Sequence, residues 1–134
     1  MLTAADLIGS WTLLAAYLEL PGGERSNYLG PDPKGRIILD RSGHMVALLM
    51  ARERSGDRAE LFGSMLAYTG TYTADDASFV TTVDAAWHPA WEGSEQRRHY
   101  VIAGDRLTIH TPPGPHPDHP GQEVSAVLEW RREG

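Results

Sequence analysis

The chain is divided, almost from end to end, into segments of strand length that are separated by turn-forming residues. Two of the turns, Asp40-Arg41-Ser42-Gly43 and Ala103-Gly104-Asp105, place a glycine between apolar runs and predict β-hairpins. There are eight such segments, at residues 9–20, 36–39, 44–50, 68–73, 79–86, 95–102, 106–111 and 123–131. Eight antiparallel strands can close into a barrel that just encloses one small ligand. The pattern therefore predicts an all-β, eight-stranded antiparallel up-and-down barrel, with an open β-sandwich as the alternative.

Length and composition limit what such a barrel could do. The chain has 134 residues, a net charge of −6 and no cysteine. A chain of this length normally has one core, so we expect a single domain over residues 1–134. The negative charge gives little support for nucleic-acid binding. No apolar run approaches the roughly 20 residues of a membrane span, so we expect no membrane association.

The cellular location is predicted from the N-terminus and the missing cysteines. The first residues lack the basic segment and continuous apolar core of a secretion signal. Disulfides, which stabilise many secreted domains, cannot form. We therefore expect a cytoplasmic protein, either a monomer or a homodimer.

The first and last segments are placed to close a barrel. The first begins at Gly9-Ser10-Trp11, and its leucines and alanines would suit a helix as well as a strand. The last segment, 123–131, lies near the C-terminus. If it pairs with the first strand, neither has a free edge.

Short helical segments and two loops are expected to cover the barrel ends. Thr3 with Asp6 three residues later is typical of a capped helical turn, and Asp57 could cap a helix that continues to about residue 66. Residues 24–36 contain two prolines and predict a lid-like loop. Residues 112–121 contain five prolines and predict irregular structure.

Six short motifs occur in order over the whole chain. They are Leu7-Ile8-Gly9-Ser10-Trp11, Leu29-Gly30-Pro31-Asp32-Pro33-Lys34-Gly35, Ser42-Gly43-His44-Met45, Tyr68-Thr69-Gly70-Thr71-Tyr72, Pro89-Ala90-Trp91-Glu92-Gly93-Ser94-Glu95-Gln96-Arg97-Arg98, and Gly104-Asp105-Arg106-Leu107-Thr108. Together they resemble the lipocalin-like domain family of the calycin superfamily. The resemblance implies the same eight-stranded barrel and favours a strand, rather than a helix, for the first segment.

The resemblance also implies roles for the first motif and for the interior. Gly9 and Trp11 are expected to be structural, with Trp11 at the closed end under an arginine, Arg131 or Arg98, in a cation–π contact. Some barrels of this broad shape are implied to act as cofactor-free cyclases or pericyclases on polyketide-like intermediates. Others bind hydrophobic ligands without chemistry.

The strand that begins at Glu95 carries the first catalytic candidates. Alternation puts Gln96, Arg98 and Tyr100 on one face. If that face is inward, the amide and guanidinium could orient a carbonyl, enolate or carboxylate in a dry cavity. The alternative is a hydrogen-bond network that braces the barrel floor.

Two tyrosines and an aspartate complete the catalytic candidates. Tyr68 and Tyr72 share a face across Gly70, whose missing side chain would leave room for a ligand or an aromatic ring. Their hydroxyls could donate to a ligand oxygen, and ordinary barrel filling is the alternative. Asp84 would be a general base with a raised pKa if it were buried. An outward Asp84 is the alternative.

The expected ligand contacts are mostly apolar. Tyr72 and Tyr100 are expected to touch a ligand, together with residues that could line a cavity: Leu13, Tyr17, Ile37, Leu39, Met45, Leu49, Met50, Phe79 and Leu128. Flexible methionines would suit a bulky, irregular guest.

No metal or cofactor is expected. His44, His88, His99 and His110 are candidates for acid–base chemistry, but their spacing assigns no partner to any of them. The stretch His116-Pro117-Asp118-His119 superficially resembles a metal site, although its prolines predict an exposed loop without further ligands. There is no phosphate-binding glycine loop and no nucleophile elbow.

The sequence therefore predicts a barrel that binds a hydrophobic small molecule. Cyclisation or isomerisation of that molecule, by holding a reactive conformer, is a further hypothesis. A carrier without catalysis is one alternative. A filled barrel that acts as a structural or partner-binding module is another, and it would contain no cavity of about 300 Å³ or more.

Overall fold

The computed structural model describes residues 3–116 and 119–133. Within these residues the strands are β1 (Gly9–Glu19), β2 (Arg25–Asn27), β3 (Lys34–Leu39), β4 (His44–Met50), β5 (Met65–Ala74), β6 (Ser78–Ala86), β7 (Glu95–Ala103), β8 (Arg106–His110), β9 (Gly114–Pro115) and β10 (Glu123–Arg132). The helical segments are a 3-10 helix at Ala4–Leu7, the α-helix α1 (Arg58–Gly63) and a 3-10 helix at Pro89–Trp91. No helix of the described part is long and apolar enough to cross a membrane.

Eight of the strands close into a barrel. Antiparallel neighbours follow the order β1-β3-β4-β5-β6-β7-β8-β10, and β10 pairs with β1. The short strands β2 and β9 add to β1 and β10 beside this closed ladder. The predicted eight-stranded antiparallel barrel is confirmed, and the closing β1–β10 pairing excludes an open sandwich.

Two predicted local motifs are confirmed. In the β3–β4 turn Gly43 has a φ of 91°, and the Asp40 carboxylate accepts the backbone N–H groups of Ser42 at 3.0 Å and His44 at 2.9 Å. At the start of α1, the Asp57 carboxylate accepts the N–H of Glu60 at 2.9 Å. The helix ends at residue 63 rather than 66, because strand β5 begins at residue 65.

The two predicted loops are more regular than expected. Residues 24–36 contain β2 and the start of β3, and the proline-rich segment contains β9, which pairs with Glu123 and Val124 of β10. Proline has no backbone N–H to donate, and it is tolerated in β9 because this short strand lies at an edge beside the barrel ladder. Irregular structure over the whole of 112–121 was therefore a wrong expectation.

Two irregularities shift the alternation of side chains along the strands. The β1–β10 register shifts between Leu13 and Ala15, so that Ala16 and Leu18 follow Leu13 on the inner face. The β5–β6 register shifts between Thr69 and Gly70, where β6 contains one extra residue. Beyond such a bulge, a side chain that simple alternation places inside the barrel points outward, and one that it places outside points inward.

Large side chains fill one end of the barrel. The 3-10 helix Ala4–Leu7 covers this end, and its Leu7 is fully buried. The indole Nε1 of Trp11 donates to the Leu7 carbonyl at 3.0 Å. Trp130, Phe79 and Tyr100 belong to the same buried cluster as Leu7 and Trp11. This end is therefore closed.

The arginine that covers Trp11 is Arg132. Its Cζ lies 4.1 Å from the Trp11 ring centroid, and its Nη1 donates to the Ile8 carbonyl at 2.9 Å. Trp11 and Arg132 are register partners, whereas Arg131 is exposed. The expectation that Arg131 or Arg98 covers Trp11 is therefore wrong. Gly9 lies against the same guanidinium, because a Cβ at this position would come within 2.8 Å of Nη1. Its φ of 142° also favours glycine.

Candidate ligand-binding cavity

The end of the barrel opposite the Ala4–Leu7 helix contains a cavity of about 500 Å³. Its apolar wall includes Leu18, Leu49, Leu66, Trp91, Val124 and Leu128. Polar and charged side chains at the same cavity are Tyr28, Tyr68, Glu95, Gln96, Arg97, Arg98, Thr111 and His116. This volume lies within the range of small-molecule sites, which combine a mostly apolar lining with a few placed polar groups. A fully filled barrel is therefore excluded.

Strand β7 brings Gln96 and Arg98 to the cavity because residues two apart share a face. A chain of hydrogen bonds orients them. Arg98 Nη2 donates to Gln96 Oε1 at 3.4 Å, and Gln96 Nε2 donates to Ser94 Oγ at 2.8 Å. Ser94 Oγ in turn donates to the Trp91 carbonyl at 2.5 Å. The guanidinium is thereby tied to the loop that carries Trp91.

An aromatic cluster forms another part of the wall. The Trp91 ring lies 5.2 Å from the Tyr68 ring and 5.0 Å from the Trp87 ring. Phe62 of α1, which is 43% exposed, stacks on Trp87 at 6.1 Å. Helix α1 and the loop after β6 therefore pack together beside the cavity.

The hydroxyl of Tyr68 is available to a guest. Tyr68 is 6% exposed and lines the cavity, and its hydroxyl makes no hydrogen bond within residues 3–116 and 119–133. A phenol of this kind can donate to a ligand oxygen.

Nine of the eleven residues expected to contact a ligand do not line this cavity, and Leu49 and Leu128 are the two that do. Ile37 and Leu39 are buried in the core, and Met50 is half-buried elsewhere on β4. Leu13, Met45, Phe79 and Tyr100 are buried in the filled core, and Tyr72 packs against that core. The Tyr100 hydroxyl donates to the Asp75 carbonyl at 2.5 Å, and the Tyr72 hydroxyl to the Asp40 carbonyl at 2.8 Å. Burial raises the pKa of both phenols, with nearby aspartates adding to the effect. These placements correct the expected lining.

Tyr17 lies on the outside of the barrel. Its hydroxyl donates to Glu129 at 3.2 Å, and the Arg25 guanidinium lies 4.1 Å from its ring. Burial and the Glu129 charge raise the pKa of this phenol. The expectation that Tyr17 lines the interior is wrong, because the β1 irregularity moves it to the outer face.

Asp84 also lies outside. It is exposed at the β5–β6 irregularity, and its carboxylate accepts the Thr69 hydroxyl at 2.5 Å. It is therefore neither buried nor next to Arg98, and an interior general base at this position is ruled out.

The space at Gly70 is already occupied. A Cβ at this position would overlap the carbonyl oxygen of Thr82 and come within 3.0 Å of Thr81 Cγ2. The missing side chain permits the close approach of β6, and it leaves no room for a ligand. The expectation that Gly70 leaves room for a ligand or an aromatic ring is therefore wrong.

Several wall residues were not identified as such in the sequence. Trp91 was noted only as part of a family motif, although a tryptophan in a turn-rich connection between two strands is a usable signal for a rim residue. Leu18 was missed because the inner face of β1 changes at the irregularity. Tyr28 lies in a loop, where no periodicity indicates side-chain direction.

The described residues of the histidine-rich loop contact other side chains. Pro117 and Asp118 of the suggested stretch lie outside the described residues. His119 Nε2 lies 3.2 Å from Ser26 Oγ, and the His116 ring meets the Tyr28 ring edge-on at 5.9 Å. Across residues 3–116 and 119–133, no three His, Asp or Glu side chains are grouped so as to hold a metal ion.

A closed eight-stranded barrel, solid at one end and hollow at the other, defines a calyx-type β-barrel protein. Residues 8–133 match the lipocalin-like domain family, and the chain belongs to that family. Among solved structures it is similar to an uncharacterized protein from Bacteroides eggerthii, with a TM-score of 0.50 and 14% identity. That alignment covers 96% of this chain and 100% of the other, and it shows a shared fold. No curated protein matches the chain.

Proposed function

We propose that this protein binds a hydrophobic small molecule in the cavity at the open end of its barrel. The observation that carries the proposal is the contrast between the two ends, since one is packed with large side chains and the other encloses about 500 Å³. A guest that buries ~300 Å² of apolar area would gain roughly 7 kcal/mol before the costs of association and ordering. Micromolar affinity is the expected range.

A neutral fluorescent probe, N-phenyl-naphthylamine, tests this binding. Ala126 lines the cavity and pairs in register with the inward Leu18, so Ala126→Phe would place a ring in the binding space. Val101 is 60% exposed on the outer face of β7, and Val101→Phe is the matched control. We expect saturable probe binding that Ala126→Phe weakens at least tenfold and Val101→Phe leaves unchanged.

The opposite result would overturn the proposal. Absence of saturable binding, or equal binding by a folded Ala126→Phe variant, means that the cavity does not take up apolar guests. Circular dichroism of both variants establishes that each is folded.

Cofactor-free cyclisation or isomerisation of the guest is the second candidate function. It is favoured by the placement of Tyr68, Gln96 and Arg98 in the cavity wall, where they can polarise a carbonyl while the apolar surface holds a reactive conformer. The test is to extract the molecule that copurifies from the natural host and incubate its precursor with the protein. Faster conversion with the wild type than in buffer supports catalysis, a slower rate for Arg98→Ala assigns a role to Arg98, and no acceleration over buffer leaves a carrier.

A further inference from the structure

Arg98 places an uncompensated positive charge in the cavity wall. The side chain is half-buried on the inner face of β7. The ion pairs of the described residues join Arg25 to Glu19, Arg36 to Glu133, Arg52 to Asp32 and Arg106 to Asp105. None of these pairs involves Arg98.

Neutral acceptors hold this guanidinium in place. Nη1 donates to the Arg97 carbonyl at 3.0 Å, and Nη2 donates to Gln96 Oε1 at 3.4 Å. A guanidinium has five N–H donors, so these two bonds leave several of them without an acceptor in the described part of the chain. Gln96 is itself fixed by Ser94, which limits the positions that Arg98 can adopt.

The other charged residues at the cavity do not neutralise Arg98. Glu95 and Arg97 flank Gln96 and also border the cavity, but both are exposed, and among the described residues Glu95 forms no ion pair with Arg98. Arg97 Nη1 donates to Ser78 Oγ at 3.1 Å. His116 lies at the rim beside Tyr28. The inner wall therefore presents a cation beside apolar side chains.

We propose that the cavity selects apolar guests that carry a carboxylate, with Arg98 binding the carboxylate. This inference rests on the proposed small-molecule binding. A half-buried guanidinium without a counter-ion is unfavourable, and a carboxylate matches its planar set of donors through two parallel hydrogen bonds. The hydrocarbon body of the guest lies against Leu18, Leu49 and Leu128, and Tyr68 can donate to one carboxylate oxygen.

The test compares decanoic acid with methyl decanoate, which has a similar chain and no charge. Each displaces N-phenyl-naphthylamine from the wild type, from Arg98→Met and from Arg131→Met at pH 7.5. The Arg131 variant is the matched control, since it makes the same change at an exposed strand position that does not line the cavity. We expect the wild type to bind the acid at least tenfold more tightly than the ester. Arg98→Met should remove that preference and Arg131→Met should keep it.

The outcomes separate this inference from the binding proposal. Equal affinity of the wild type for acid and ester overturns the carboxylate preference while binding itself stands. A preference that persists in Arg98→Met overturns the assignment to Arg98. Failure of the probe and both ligands to bind overturns the proposed function. If Arg98→Met does not fold, two other measurements test the inference. One is the ratio of the wild-type affinities for acid and ester. The other is the same ratio for Arg98→Lys, which keeps the charge and loses the paired donors.

Discussion

Arg132 stabilises the closed end through three contacts that meet at one side chain. It covers the Trp11 ring at 4.1 Å and donates to the carbonyls of Ile8 and Asp6. Arg132→Met keeps most of the aliphatic stem but loses the cation–π contact and leaves two carbonyls short of a donor, at about 1 kcal/mol or more for each contact. We expect the free energy of unfolding in urea to fall by about 2–4 kcal/mol.

The neighbouring Arg131 is the control for this prediction. It is exposed, so Arg131→Met should change stability by no more than about 0.5 kcal/mol. Equal losses from the two substitutions would mean that the inward contacts of Arg132 contribute little.

His110 makes stability depend on pH. Burial lowers the pKa of His110 below its ordinary 6.5, the positive charge of His99 lowers this pKa further, and Glu19 opposes both effects. The unfolded chain therefore takes up this proton at a higher pH than the folded chain. The contribution to stability is fully present above about pH 6.5 and declines as the pH falls from there toward the lowered pKa.

Melting temperatures measured between pH 7.5 and 5.5 test this assignment. We expect the wild type to lose stability on acidification and His110→Gln to show a shallower slope. His44→Gln changes an exposed histidine in the β3–β4 hairpin and should keep the wild-type slope. A slope that is the same in all three proteins would rule out His110 as the source.

Gly70 allows β5 and β6 to approach closely. A Cβ at this position would overlap the Thr82 carbonyl oxygen, next to the register shift between Thr69 and Gly70. Gly70→Ala should therefore force the two strands apart and reduce the free energy of unfolding by about 1–3 kcal/mol. At Gly63 an added Cβ meets no atom within 4 Å, so Gly63→Ala should be neutral or slightly stabilising. Equal urea midpoints for the two variants would contradict the close approach.

The strand pattern predicted the barrel correctly, and it also predicted that Gln96 and Arg98 share one face of a strand. Along β7 residues 96, 98, 100 and 102 are the more buried ones, with half-buried His99 as the exception, so the sequence placed Gln96 and Arg98 on the same side, and both line the cavity. Periodicity is informative where a strand is regular, because each residue then faces opposite to its neighbours.

Periodicity could not predict the direction of side chains in irregular strands. It also could not predict how far along the barrel axis an inward side chain lies. Tyr17 was misplaced because the irregularity in β1 leaves no clear residue signature. Tyr100 shares its face with Arg98 but lies in the packed core. Periodicity identifies the inner face and not the distance from the open end, which depends on how tilted strands are staggered around the barrel.

The whole molecule divides into a solid end and a hollow end, although every barrel strand belongs to one hydrogen-bonded ladder. Trp11, Trp130 and Phe79 are almost completely buried at the solid end. At the hollow end the side chains, Trp91 among them, surround a cavity of about 500 Å³ instead of packing against one another across it. Local opening depends on the density of buried contacts, so the two ends should differ in the stability of their backbone hydrogen bonds.

Amide hydrogen exchange, with and without saturating N-phenyl-naphthylamine, tests this division. Without probe we expect slower exchange in residues 9–13 and 100–103 than in residues 87–98. Binding stabilises the folded protein by about 2.7 kcal/mol when the free probe is at 100 times Kd. The added protection should be greatest in residues 87–98 and in the segment 111–116, which border the cavity. Protection concentrated instead in residues 9–13 would place the guest at the solid end and contradict the position of the cavity.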